Sequence, residues 1–405
     1  MATEKLETIL KQELTERKNR GTLKGREAVI SRVQLGHGED GPRVFLAGYG
    51  DKAFLRMNSN SYLGLSTHNE VVRAEEKAVG EFGTGPGAVR FISGTYQTHV
   101  DLEKKLAAFH VREAAMIFSA AYAAIMGILP VLINEETVVI SDALNHSCII
   151  NAIRLSRPAT KLIYNHLDMA DLEAKLQNAI GSGRRAIVVT DGIFSMRGDS
   201  APLDKLTAIC KRYTNDFPEG IITVVDDSHG VGAFGQTGRG TEEYTNAGAD
   251  LLVATLGKAL GVNGGYVAAS NTIISYLRES APFYIYSNPI TPAEAAAACA
   301  SLNILDSSTG TELLNRLRVL TQRFEAGLIK FGFEIIPGEH PIVPLMIRDT
   351  AQTAQLVKHL FANGILATGI KYPVVPRGDE EIRFQISATH TEKDIDMVLG
   401  VLQKL

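Results

Sequence analysis

The run Ile221-Ile-Thr-Val-Val-Asp226-Asp-Ser-His229 places five apolar or β-branched residues directly before four polar ones. A short run of this kind reads as a buried strand, and its polar tail then falls at the strand's carboxyl end. The same order recurs. Leu251–Thr255 is followed by Leu256-Gly257-Lys258, and Ala186–Thr190 by Asp191. Further runs lie at Ala115–Phe118, Thr137–Ser141 and Lys161–Tyr164, and the intervals between runs suit helical crossovers. This pattern predicts an α/β fold with a mostly parallel sheet covered on both faces. In an open α/β sheet, ligands bind beyond the carboxyl ends of the strands. Three polar strand ends therefore converge on one edge, and that edge is the candidate site.

Three zones surround this pattern. Residues 52–295 carry the alternating strands and helices of a large domain. Residues 1–51 form an N-terminal arm, with a helical period (Leu6, Ile9, Leu10, Leu14) and then a basic stretch around Arg17-Lys18-Asn19-Arg20. The arm buries little by itself, so it is expected to pack on something else, such as a partner subunit. Residues 296–405 read as a smaller α+β domain. The Ala-rich helix Pro292–Leu305 leads into it; strands are expected at Ile342–Ile347 and Ile382–Ile386, and helices at Ala351–Asn363 and Glu392–Leu402.

Composition narrows the function classes. A chain of 405 residues exceeds one typical core, and 45% hydrophobic residues can fill two. The formal net charge of -4, with no long block of like charge, argues against a nucleic-acid surface. Met1 to Gln12 is polar, so no signal peptide is expected, and no apolar run reaches the roughly 18 residues of a membrane span. Cys148, Cys210 and Cys299 are scattered and odd in number, which argues against disulfides and against a metal site. The cytoplasm is the expected location.

The strand ends carry the chemistry. Lys258 follows an apolar strand, and desolvation there favours the neutral amine, the form that attacks an aldehyde. Standing alone, a Gly-Lys pair reads equally as a surface lysine in a glycine-rich loop. Asp226 is placed to pair with a protonated pyridine nitrogen, or simply to cap a strand end. His229 could donate to a phenolic ring oxygen. Phe118-Ser119-Ala120-Ala121-Tyr122 joins a strand to a helix and could hold a phosphate on backbone N–H groups, although an ordinary turn would look the same. Gly83-Thr84-Gly85-Pro86-Gly87 lacks the spacing of a nucleotide loop and is read as conformational punctuation. His146 either stacks on a ring or caps a helix. Arg383 either grips a carboxylate in a bidentate fork or lies solvated on its strand.

These residues sit in ordered motifs: Ser59–Leu65, Val89–Thr95, Ser141–His146, Thr190–Met196, Val225–Gly230, Gly238–Gly240, Thr255–Lys258 and Tyr372–Pro376. On them the chain resembles the α-oxoamine synthases, fold-type I pyridoxal-phosphate enzymes that condense an amino acid with an acyl-CoA. The resemblance runs from about Asn58 to Thr391. It implies a seven-stranded, mostly parallel sheet and pyridoxal 5′-phosphate as cofactor. Lys258 would be the Schiff-base lysine, Asp226 the pyridinium partner, His229 the donor to the phenolic oxygen and His146 the stacking ring, with Ser195 beside the cofactor. Ala121, Tyr122 and Thr255 would hold the phosphate, helped by Ser287 or Asn288 of a second subunit; Asn60 and Arg383 would hold the amino-acid carboxylate. A homodimer with shared sites follows.

Val89–Thr95, Ser141–His146 and Tyr372–Pro376 are most like the glycine C-acetyltransferase branch, which implies glycine and acetyl-CoA. Phe194–Leu203 is equally like the 8-amino-7-oxononanoate synthase branch, which joins alanine to a longer acyl thioester. Ala123, Ile125 and Pro289 depart from the family pattern near the phosphate. A fold-type I aminotransferase or decarboxylase, or a cofactor binder without activity, are the competing readings.

Overall fold

The computed structural model describes residues 3–20, 22–23, 27–372 and 374–404. Pro373, inside the Tyr372–Pro376 motif, lies outside the described residues, as do Met1 and Ala2.

The helix Glu4–Asn19 buries none of its residues, and Leu6, Ile9, Leu10 and Leu14 all face solvent. Strands β1 (Ile30–Gln34), β2 (Arg43–Leu46) and β3 (Ala53–Arg56) then form an antiparallel meander. The expected boundary at 51/52 thus falls between two paired strands.

The main sheet contains β4 (Ala114–Phe118), β5 (Thr137–Asp142), β6 (Thr160–Tyr164), β7 (Arg185–Asp191), β8 (Ile221–Asp226), β9 (Leu251–Thr255) and β10 (Gly265–Ala269). Their order is β4-β10-β9-β8-β7-β5-β6. Neighbours from β9 through β6 are parallel, and only β10 runs antiparallel to both of its neighbours. Strand β10 was not among the six runs legible in the sequence. Its Gly265-Tyr-Val-Ala-Ala269 is short and follows a glycine-rich loop, so periodicity alone does not mark it.

Both faces of this sheet are covered, so its strands are apolar on both sides. Val224 belongs to the cluster that packs under the helix Ala121–Leu132, whereas Val225 packs with the helix Pro292–Leu305 on the opposite face. The C-terminal part adds β11 (Ile342–Met346), β12 (Ile365–Leu366), β13 (Thr368–Ile370) and β14 (Glu381–Gln385). Strand β14 is central in a sheet ordered β11-β14-β13, while β12 pairs in parallel with β3. A buried ion pair ties the two chain ends together, since Arg43 Nη2 donates to Asp394 Oδ1 at 2.6 Å. Among the described residues no helix is long and apolar enough to cross a membrane, and no cluster of three or more His, Cys, Asp or Glu is placed to hold a metal ion.

Candidate active site

The carboxyl ends of β7, β8 and β9 open into a cavity of about 250 Å³. Asp191, Asp226, Thr255 and Lys258 line it from the strand ends; His146, Cys148, Ser195, Ser228 and His229 line it from the loops and helix starts beyond them; Ala121 and Tyr122 close one end. Asp191 and Asp226 are register partners on adjacent parallel strands. Their proximity matters electrostatically: burial first, and then the Asp226 charge, hold the Asp191 carboxyl well above the usual carboxylate range.

Lys258 is half-buried at this edge. Desolvation lowers its pKa to about 8, against the opposing pull of Asp226 and Asp191. Lys258 thus lines the cavity, and an appreciable fraction of the amine is neutral near physiological pH. Asp226 Oδ1 accepts from the Ser228 N–H at 3.1 Å, and Oδ2 accepts from the Cys148 thiol at 3.7 Å. Asp227 does something different. It is fully buried, and accepts from the Thr241 N–H and hydroxyl at 2.7 Å each. Asp226 thus caps the turn at its strand end and also lines the cavity, while Asp227 is committed to Thr241.

His146 takes the helix-capping role. Its Nδ1 accepts from the Cys148 N–H at 3.3 Å, capping the helix Ser147–Leu155, and its ring also lines the cavity. Asp191 Oδ2 fixes its backbone by accepting the His146 N–H at 3.0 Å. His229 is buried, with its Nδ1 2.7 Å from the Tyr62 hydroxyl, and its carbonyl accepts from His340 Nε2 at 2.8 Å. Burial, then the nearby Lys258 charge, keep His229 neutral well below the usual histidine range.

Arg383 is not a solvated strand residue. Its Nη1 donates to the Ser195 carbonyl at 2.7 Å, and Nη2 lies 3.5 Å from Asn60 Oδ1. With the Gln385 amide turned so that its nitrogen donates to the Met57 carbonyl at 3.2 Å, its oxygen accepts from Arg383 as well. Thr255 Oγ1 donates to the Gly264 carbonyl at 3.1 Å and accepts from the Gly257 N–H at 3.0 Å. Ser287 and Asn288 do not line the cavity of their own chain; they follow the short helix Pro282–Ile285. Asp191, Cys148, Tyr62 and His340 were given no role from sequence. Asp191 ends a strand run and Tyr62 lies inside a motif, which are usable signals, whereas nothing local marks Cys148 or His340.

An amine, a carboxylate and two imidazoles gathered at a switch in strand direction define a fold-type I pyridoxal-phosphate transferase. The chain belongs to the family described as aminotransferase class I and II, whose model matches residues 52–402, and within it to the α-oxoamine synthases. It is 40% identical over 398 residues to the human mitochondrial 2-amino-3-ketobutyrate coenzyme A ligase, covering 98% of this chain and 91% of that one. It is 39% identical over 356 residues to the 8-amino-7-oxononanoate synthase of Thermosipho melanesiensis, covering 87% and 88%. Serine palmitoyltransferase from S. paucimobilis, solved with pyridoxal phosphate and myriocin bound, superposes with a TM-score of 0.87 at 26% identity, over 99% of this chain and 97% of that one.

The cavity fits pyridoxal phosphate, the cofactor of this family. Ala120 provides no side-chain cap for the helix Ala121–Leu132, leaving its first-turn N–H groups to an anion. A Cβ on Gly265 would lie 2.1 Å from the Ala121 nitrogen, so only glycine lets β10 pack beneath that turn. The Ser228 hydroxyl is buried at the cavity without a partner.

Proposed function

We propose that this enzyme joins glycine to the acetyl group of acetyl-CoA, releasing CoA and a 2-amino-3-oxo acid. The observation that carries the reading is the gathering of Lys258, Asp226, His229 and His146 around one cavity. The 40% identity to the human ligase supports the choice of substrates.

When bound, the cofactor supplies an aldehyde and an electron-withdrawing ring that stabilises negative charge at the substrate's α-carbon. Asp226 would hold the ring nitrogen in its protonated form. His146 would cover the ring, while His229 would donate to the phenolic oxygen with Ser195 nearby. Ala121, Tyr122 and Thr255 would hold the phosphate, joined by Ser287 or Asn288 of a partner subunit. Arg383, steadied by the Ser195 carbonyl and Asn60, receives the amino-acid carboxylate. Lys258 Nζ would carry the cofactor and serve as the general base that removes the α-proton; its lowered pKa suits that task at neutral pH.

A cytoplasmic homodimer completes this reading. Its support is the exposed apolar surface at Leu6, Ile9, Leu10 and Leu14, with Phe91, Ile92 and Tyr286 also exposed. A second reading, alanine with a longer acyl thioester, is favoured by the Phe194–Leu203 stretch and the 39% identical synthase. A panel of acyl-CoAs crossed with glycine, alanine and serine, read by CoA release, separates the two. Fastest turnover with glycine and acetyl-CoA is the expected result; a clear preference for alanine and a long acyl chain would replace the first reading with the second.

A further inference from the structure

Beside the Lys258 cavity lies a second one of about 270 Å³, and Ser195 borders both. Its walls mix apolar side chains, Leu144, Phe194, Met196, Met346 and Val374 among them, with the charged Arg197 and Asp379. Glu381 is set into this lining, although its side chain is 2% exposed. Its Oε1 is fully buried and has no hydrogen-bond partner.

The position of Glu381 follows from strand geometry. Successive side chains of β14 alternate between faces. Ile382 and Phe384 point into the core, so Glu381, Arg383 and Gln385 share the other face. The uncommitted carboxyl therefore stands two residues along from the arginine that grips the Ser195 carbonyl. Burial pushes Glu381 up to about 8, against the pull of Arg383 and Arg197. Near neutral pH it is mostly the uncharged acid, which can both donate and accept a hydrogen bond. A buried polar group without a partner weakens a fold. Its retention next to a reacting centre points to a partner that arrives with a ligand.

We propose that this second cavity is a substrate-specificity pocket, in which Glu381 hydrogen-bonds a hydroxyl carried either by the amino-acid side chain or by the acyl group of the thioester. The assignment rests on the condensation reaction proposed above and extends it to hydroxyl-bearing substrates, since neither glycine nor acetyl-CoA carries such a group. An uncharged acid, which can both donate and accept a hydrogen bond, suits a neutral hydroxyl.

The test uses the cofactor-loaded enzyme, E381L and E381Q, with CoA release as the readout. One arm compares serine with alanine, using acetyl-CoA. The other compares 3-hydroxybutyryl-CoA with butyryl-CoA, using glycine. In one arm the wild type should favour the hydroxyl-bearing substrate in kcat/KM by about tenfold, the worth of one hydrogen bond to a buried group. E381L should erase that ratio and E381Q should keep part of it. E381L should also melt no lower than the wild type, because an unpartnered carboxyl is replaced by an apolar side chain. An unchanged ratio in E381L, no hydroxyl preference in either arm, or a lowered melting temperature with all substrates equally impaired would overturn the pocket. If no pair of substrates released CoA from the wild type, the condensation reaction would fall, and the pocket with it.

Discussion

Tyr62 holds its hydroxyl 2.7 Å from Nδ1 of His229, across 167 residues of sequence. Both groups are fully buried, and burial pushes the phenol up and the imidazole down, so both are neutral. The contact fixes the imidazole plane from which His229 would donate to the cofactor in the proposed reaction. Tyr62→Phe removes one hydrogen bond of about 1 kcal/mol. It should lower kcat roughly fivefold and leave KM for the acyl-CoA nearly unchanged. A steady-state comparison of the two enzymes checks this; an unaltered kcat would remove His229 orientation from the mechanism.

Lys258→Ala should eliminate turnover together with the absorbance of the lysine-bound cofactor. For the wild type, the sign of the pH dependence follows from the lowered pKa. The base is the neutral amine, which is free only with the amino acid bound, so kcat rather than kcat/KM should rise as pH increases through about 8 and level off above it. A profile that falls through that range would assign the proton removal to another group.

Asp226→Asn keeps the shape of the side chain and loses its charge. Cofactor should still bind, but the ring nitrogen would lose its protonating partner. Turnover should drop by about 10²–10³, the scale seen when one preorganised electrostatic partner is deleted. Comparing the pH dependence of the bound cofactor's absorbance in the two proteins provides a second, rate-independent reading.

Gly265→Ala would place a methyl group 2.1 Å from the Ala121 nitrogen. Forced overpacking of this kind costs about 1–3 kcal/mol. The variant should melt lower and bind pyridoxal phosphate more weakly, because the disturbed backbone is the proposed phosphate cradle. Equilibrium titration with the cofactor tests the second effect separately from the first. Weak melting with unchanged cofactor affinity would move the phosphate elsewhere.

His166 bridges Asp142 Oδ1 at 2.9 Å and Asp199 Oδ2 at 3.2 Å, and these carboxylates outweigh its desolvation and raise its pKa to about 9. The folded value lies above the unfolded one. Its contribution to stability is therefore fully present below about 6.5 and is lost as pH rises through about 9. Urea unfolding of the wild type should show that decline, and His166→Asn should flatten it.

The backbone of this fold was legible because the β-branched runs at 115–118, 137–141, 161–164, 186–190, 221–225 and 251–255 coincide with β4 to β9. Burial on both faces demands continuous apolar sequence, and continuous apolar sequence is a local property. The residues that end those runs were legible for the same reason: Asp226 and Lys258 stand where β8 and β9 must stop and the polar edge begins. Tertiary structure alone made the remaining choices. Asp226 rather than Asp227 faces the cavity because Thr241 claims the second carboxylate. Arg383 is committed because Ser195 and Asn60, 188 and 323 residues away in sequence, fold against it. Glu381 is a buried acid without a partner because β14 lies at the centre of its sheet with one face turned to the second cavity. The direction of a side chain and the identity of its neighbours depend on packing across the whole chain, and no run of sequence carries that information.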